Sequence, residues 1–176
     1  MIIKEGLYAK TQNTTEKSIK KKEWDLFTPS KEIFDEIFRV SKNQIICGGN
    51  YFTSFLPASM GWIVWDKGQR NLTMSDCELI FSSFQVASRI EVVNRVELLK
   101  DNTIHPTQKP LKLIEKLLCK FSKEGDLIAD FFSGSGTTAI ACYNQKRKFI
   151  CVEKDFDYWK ASCKRLEDHQ RQGVLF

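Results

Sequence analysis

The stretch from Leu127 to Glu153 constrains the fold more than any other part of the sequence. Leu127-Ile-Ala-Asp-Phe-Phe132 has the length and apolar character of a buried strand. It passes without a spacer into Ser133-Gly-Ser-Gly-Thr-Thr138, after which Ala139-Ile-Ala-Cys-Tyr143 opens a helix. Lys148-Phe-Ile-Cys-Val-Glu153 is a second strand, and a last helix spans Asp157 to Gln172. Strand, glycine turn, helix and strand is the alternation of an open, mostly parallel sheet covered by helices on both faces.

The preceding residues extend the same pattern. Ile33, Phe34, Ile37 and Phe38 recur at helical spacing after Ser30, a residue type that caps helices. Gln44-Ile-Ile-Cys47 reads as a short strand closed by Gly48-Gly49-Asn50, and Met60-Gly-Trp-Ile-Val-Trp65 as another, ending at Asp66. Glu78 to Phe84 and Arg89 to Val93 read as an adjacent strand pair. Asn94 to Thr103 is a short polar connection. Pro110 then begins a helix whose Leu111, Ile114, Leu117, Leu118 and Phe121 form one apolar stripe, stopped by Gly125. The first 25 residues differ in kind: a polar stretch with a Lys20-Lys-Lys22 run and little periodicity, read as a loop or arm. A solvated surface is the plain reading of the lysines, and contact with phosphates the sharper one.

A chain of 176 residues has room for one ordinary domain. Its 42% apolar, 12% aromatic and 28% charged residues exclude a disordered tail, a collagen-like repeat and a disulfide miniprotein. No apolar run reaches the ~18 residues of a membrane span, and Met1-Ile-Ile-Lys4 is no signal peptide, so the expected location is cytoplasmic. The net charge of +5 is compatible with a nucleic-acid partner without requiring one. Cys47, Cys77, Cys119, Cys142, Cys151 and Cys163 are scattered singly among apolar neighbours, the pattern of small core residues rather than of a metal site.

The glycine turn carries the chemistry. Gly134 and Gly136 let backbone approach a ligand closely, and the following helix start points amides at electronegative groups. The spacing is not that of a phosphate-binding P-loop, and Ala139 stands where a third glycine of G-x-G-x-x-G would be. About twenty residues further on, Glu153 ends the next strand, where a carboxylate can accept hydrogen bonds from both ribose hydroxyls of a nucleoside.

Phe132-Ser-Gly-Ser-Gly-Thr-Thr138 resembles the S-adenosylmethionine loop, D-P-F-x-G-S-G-T-T, of DNA amino-methyltransferases that modify adenine N6 or cytosine N4. His105-Pro-Thr-Gln-Lys-Pro110 resembles a second signature that lies upstream of that loop in the circularly permuted members. Asn43 to Phe52, Trp62-Ile-Val-Trp-Asp66 and Ser75-Asp-Cys-Glu78 are similar to the phage-type adenine-specific ones. The resemblance runs from about residue 24 to 176. It implies a Rossmann-like α/β domain over 1–176, with a catalytic-side half at 26–104, a short target-recognition insert near 90–103 and a cofactor-binding half at 105–176. It implies S-adenosylmethionine at Asp130, Phe131, Phe132, Ser133, Gly134, Ser135, Gly136, Thr137 and Glu153. Asp130 and Ser133 are expected near the sulfonium and amino-acid end, and His105, Thr107 and Lys109 at its carboxylate. Phe131 departs from the family's proline.

The family's chemistry also uses D-P-P-Y, whose oxygen and proline carbonyl accept hydrogen bonds from the target amine while the aromatic ring stacks on the flipped base. The prolines here are Pro29, Pro57, Pro106 and Pro110, with no Pro-Pro pair, so no catalytic residue is assigned. The expectation is an N-terminally shortened methyltransferase whose sheet lacks its central catalytic-motif strand. Its reaction would be restriction-modification-type methylation of adenine N6 in double-stranded DNA. A catalytically silent remnant that binds DNA or a complementing subunit, or that self-associates, and a cytosine-N4 enzyme are the alternatives. Asn50-Tyr51 or Asp66 would have to replace the absent motif in an active chain. Arg70, Asn71, Arg89, Asn94 and Arg95 are candidate DNA contacts, whereas Trp62, Trp65 and Trp159 read as core.

Overall fold

The computed structural model describes residues 2–3, 28–101 and 103–172. The Lys20–Lys22 run and nearly all of the expected arm lie outside the described residues. Two parallel or mixed sheets carry the fold. The larger has the order β1 (Ile2–Ile3), β2 (Ile45–Cys47), β4 (Cys77–Ser82), β3 (Ile63–Asp66), β5 (Arg89–Val92). The smaller pairs β6 (Leu127–Asp130) with β7 (Lys148–Cys151) in parallel. The helices are α1 (Lys31–Val40), α2 (Glu97–Lys100), α3 (Leu111–Phe121), α4 (Thr137–Asn144) and α5 (Phe156–Gln172).

The larger sheet is more mixed than expected. β2 and β3 both run antiparallel to β4, while β1 is parallel to β2 and β5 to β3. β4 and β5 are therefore not the adjacent pair that the sequence suggested. The connection from Phe84 to Ser88 carries the chain past β4 to the far edge of β3, where Arg89 donates to the Trp62 carbonyl at 3.0 Å. The expected arm also contains a strand. Ile2 and Ile3 pair with Ile45 and Ile46, on the side of β2 that faces β6. Only this two-residue strand stands between the two sheets among the described residues.

Side-chain alternation along the strands builds two cores, since successive residues of a strand face opposite sides. Ile45, Cys47, Ile63, Trp65 and Ile80 face α3 and α4, meeting Leu113, Ile114, Leu117, Leu118, Ala141 and Cys142. Ile46 and Phe81 face the other way, onto Phe34 and Ile37 of α1 and Phe52. All three residues of β2 are buried, as befits a strand covered on both faces. Trp65 is core, and its indole N–H donates to the Val93 carbonyl at 2.8 Å. Trp62 packs edge-on against Phe81 at 5.7 Å. Trp159 is not core: it is 44% exposed and stacks on Phe156 at the start of α5. Cys47 and Cys142 are buried as expected, but Cys119 is exposed on α3.

Edge strand β5 docks onto α3 through charge. Glu91 points inward, 5% exposed, and pairs with Lys116 and Lys120. Its neighbours Ile90 and Val92 face outward.

Candidate functional site

The turn between β6 and α4 is shaped by two glycines in the left-handed region, Gly134 at φ 52° and Gly136 at φ 72°. There a Cβ would clash with the following backbone. Asp130 closes the turn from below: Oδ1 accepts the Phe132 amide at 3.1 Å and Oδ2 accepts the Thr138 hydroxyl at 2.5 Å. The carboxyl is fully buried, so Asp130 braces the loop rather than lining its open side. The charge of Asp130 reaches α4 as well. Burial first, and this carboxylate second, push the Cys142 thiol up to about 12.

Three of the loop's amides are taken up inside the turn rather than turned outward. Ser133 N–H donates to Val152 O at 3.0 Å and Gly136 N–H to Ser133 O at 2.9 Å. Gly134 N–H donates to Glu153 Oε2 at 2.8 Å. The positive φ angles turn the loop back on itself, so these donors close internal bonds. The Glu153 carboxylate lies at the mouth of this turn. Its Oε1 accepts the Asp155 amide at 2.8 Å, so each oxygen has one backbone donor and keeps a second acceptor direction.

The two sequence signatures meet at Gly134. A Cβ placed there would lie 3.3 Å from the His105 ring, so the glycine is what lets the imidazole cover the loop. His105 is buried, with Tyr158 of α5 edge-on at 4.4 Å. The Thr107 amide donates to His105 Nδ1 at 3.3 Å, which assigns the ring proton to Nε2 in the neutral form. Thr107 Oγ1 lies 3.1 Å from the same nitrogen.

Lys109 is directed elsewhere. Its ammonium lies 3.0 Å from Glu78 Oε2, while Lys67 lies 3.1 Å from Oε1. Burial opposes ionisation of Glu78, but the two lysines outweigh it and hold the carboxyl below its usual range. Phe131 and Phe132 pack toward the second core beside Trp62. Ser133, Ser135 and Thr137 are buried.

Sequence reasoning missed α5 as a wall of this site. Tyr158, Ser162 and Arg165 fall at helical spacing on one face. Ser162 Cβ would meet a Cβ at Gly136 at 2.9 Å, and the Arg165 guanidinium donates to Ser135 O at 3.0 Å and Thr137 Oγ1 at 3.1 Å. Burial draws the Arg165 pKa down. The signal was present as a polar i, i+4, i+7 series, but such a series is ordinarily a solvated face.

Of the residues considered as substitutes for the absent motif, Asp66 is engaged by Arg70. That guanidinium, at 2.7 Å and 2.8 Å, and then the Gly68 amide hold its carboxyl at about 2. Tyr51 is exposed on a 3₁₀ turn, Gly49–Tyr51. Among the candidate DNA contacts, Arg70 is held by Asp66, and Asn94 Oδ1 accepts the Val96 amide in the turn before α2. Asn71 is exposed in the left-handed region. Arg89 is exposed at the start of β5, and Arg95 reaches Met74. Among the described residues no helix is long and apolar enough to cross a membrane.

The chain is 46% identical over 63 residues to the type II methyltransferase M2.DpnII of Streptococcus pneumoniae, covering 36% of this chain and 24% of the relative. It is 41% identical over 64 residues to M2.MboI of Moraxella bovis, covering 36% and 23%. The matched segment thus spans about a quarter of these relatives' length. The M1.HpyAVI–SAM complex superimposes with TM-score 0.62 at 23% identity, over 77% of this chain and 81% of that one. PvuII DNA methyltransferase, described as cytosine-N4-specific, does so with TM-score 0.57 at 14% identity, over 97% and 83%. These two show a shared fold: a Rossmann-like methyltransferase sheet. The DNA methylase sequence profile matches residues 4–164, and on that match the chain belongs to the DNA methylase family.

Proposed function

We propose that this chain is the S-adenosylmethionine-binding part of a cytoplasmic, site-specific DNA methyltransferase acting on adenine N6 in double-stranded DNA. The observation that carries the reading is the Gly134–Glu153 hydrogen bond beneath the His105 ring. It gathers the glycine turn, the strand-end carboxylate and the His105–Pro110 signature into one place. The donor set fits the ligand. Two ribose hydroxyls can donate to the remaining acceptor directions of Glu153, and the exposed Phe156–Trp159 stack offers an apolar surface for a flat base. His105 and Thr107 border the amino-acid end, with Ser133 behind them, while the charge of Lys109 is already balanced by Glu78. When bound, the cofactor supplies an electrophilic methyl group on its sulfonium.

Adenine rather than cytosine is supported by the middle of the chain, where Asn43 to Phe52 and Trp62 to Asp66 resemble adenine-specific enzymes. With no Pro-Pro pair to hold the target amine, methyl transfer by this chain alone is expected to be slight, and a complementing subunit would supply that part.

Calorimetry with S-adenosylmethionine tests the binding claim. The wild-type chain should bind, and Glu153→Ala should weaken binding roughly tenfold or more, the loss expected for hydrogen bonds to a charged acceptor. Absence of binding by the wild-type chain overturns the assignment. Transfer of radiolabelled methyl groups to adenine-containing duplexes by the chain alone, at the rate of a complete enzyme, overturns the division of labour.

A further inference from the structure

Four aromatic side chains are exposed among the described residues: Tyr51, Tyr143, Phe156 and Trp159. Phe156 and Trp159 stack on each other, and Tyr143 meets the His169 ring edge-on. Tyr51, 55% exposed, has neither a ring contact nor a side-chain hydrogen bond among the described residues. It is the one exposed ring of the four that the fold leaves unused.

The turn that carries Tyr51 is nevertheless built with care. Gly48 stands in the left-handed region at φ 71°. Gly49 has no room for a side chain, since a Cβ there would lie 2.8 Å from Phe81 Cβ and 2.9 Å from the Trp62 ring. Tyr51 N–H donates to Gly48 O at 3.0 Å and Phe52 N–H to Gly49 O at 3.1 Å. Phe52 O then accepts the Phe55 and Leu56 amides at 2.8 Å and 3.1 Å. The Phe52 ring, 1% exposed, anchors the turn in the second core. A bonded backbone with a buried neighbour on one side and two sterically required glycines on the other holds the Tyr51 ring out of the core. Its place matters as well. The turn closes the carboxyl end of β2, the edge of an α/β sheet at which ligands bind. Phe131 and Phe132, which lead from β6 into the glycine turn, pack into the same apolar cluster as Phe52. The exposed ring and the cofactor turn are thus set on one shared support.

We propose that Tyr51 is a base-stacking residue of the DNA site: its ring receives the face of a nucleotide drawn out of the duplex beside the cofactor turn. The inference rests on the DNA-methyltransferase reading and names a residue that would meet the nucleic acid. A rigid, exposed ring suits this task because its contact area costs little side-chain ordering. Every nucleobase has a π-face, so the contact separates unpaired from paired bases rather than one base from another. The net charge of +5 attracts the duplex without regard to pairing, and Tyr51 adds the contact that depends on it.

The test compares the full chain with Tyr51→Phe and Tyr51→Ala on two short duplexes. These differ only in whether one adenine is paired with thymine or faces an abasic position. Fluorescence anisotropy reads affinity, thermal melts confirm that the variants fold alike, and calorimetry records S-adenosylmethionine binding by the same wild-type preparation. Tyr51→Ala should weaken binding of the unpaired-adenine duplex by roughly tenfold or more and leave the paired duplex unchanged. Tyr51→Phe, which keeps the ring, should bind both as the wild type does. Unchanged binding of both duplexes by Tyr51→Ala overturns the inference, and so does an equal loss on both, which marks a contact indifferent to the base. A loss by Tyr51→Phe as large as that by Tyr51→Ala overturns it too, since the hydroxyl and not the ring would then make the contact. A wild-type chain that binds S-adenosylmethionine but neither duplex overturns the role of Tyr51 and leaves the cofactor reading standing. A chain that shows the Tyr51-dependent preference without binding S-adenosylmethionine does the reverse.

Discussion

The amide of Gly134 donates to Glu153 Oε2 across 2.8 Å, tying the turn after β6 to the end of the neighbouring strand. Nineteen residues separate them in sequence, and the parallel pairing of Asp130 with Cys151 brings them face to face. Removing the carboxylate should therefore loosen the turn before any ligand is considered. Glu153→Ala should lower stability by about 1–3 kcal/mol, the cost of leaving a buried donor without a partner. Glu153→Gln, which keeps an acceptor, should lose much less. Thermal melts of the two variants without ligand check this, and equal losses would mean that the charge, not the acceptor, holds the turn.

Gly136 tests the packing of α5 on the same turn. Gly136→Ala should cost roughly 1–2 kcal/mol for the left-handed backbone alone, plus the contact with Ser162 Cβ at 2.9 Å. The double variant Gly136→Ala/Ser162→Gly should recover the steric part and leave the backbone part. Denaturant unfolding of the single and double variants separates the two.

Arg165→Met preserves length and removes every donor. Ser135 O and Thr137 Oγ1 then lose their guanidinium, and the expected loss is about 1–3 kcal/mol. Amide exchange in the first turn of α4 should quicken, whereas exchange in β3 should not.

Glu78 gives the fold a pH signature. Its folded pKa is depressed below 4.5 by Lys109 and Lys67, against the opposing effect of burial. A carboxylate of this kind contributes stability above its unfolded pKa, because the unfolded chain binds the proton first as pH falls. The contribution should be constant from pH 7 to about 5 and then decline through and below 4.5. Glu78→Gln should be less stable at pH 7, and the gap to wild type should narrow as pH falls toward 3. A gap that stays constant across that range would remove the ion pairs as its cause.

Much of this was legible in the chain, and the exceptions have physical causes. The unit Leu127 to Glu153 declared itself because the glycines sit between two apolar runs, and α3 because Leu113, Ile114, Leu117 and Leu118 form a stripe that has one way to be buried. The pairing of β4 was not legible. Alternation along Cys77–Ser82 says which residues face each core but not which strand lies alongside. The position of Glu153 at the strand end beside the glycine turn was legible, but its bond to Gly134 was not, since it depends on the φ angles of the turn. Trp159 misled because size argues for burial, whereas its position on the first turn of α5 leaves it at the rim with Phe156. Lys109 misled for a different reason: Glu78 lies thirty-one positions earlier, on β4, and only the assembled sheet brings the two together.

The His105–Gly134 contact joins segments that are close in sequence, and so do the α3–α4, β6–β7 and α4–α5 contacts around it. These contacts lie within residues 105 to 172, whereas β2 must find β4 across a stretch, Gly48 to Asp76, that itself forms β3. Closing the β6–β7 pairing spans fewer residues than closing the β2–β4 pairing, so it costs less loop entropy. A nascent polypeptide of this family member would accordingly form its β3–β4 and β6–β7 ladders before the longer-range pairing of β2 with β4.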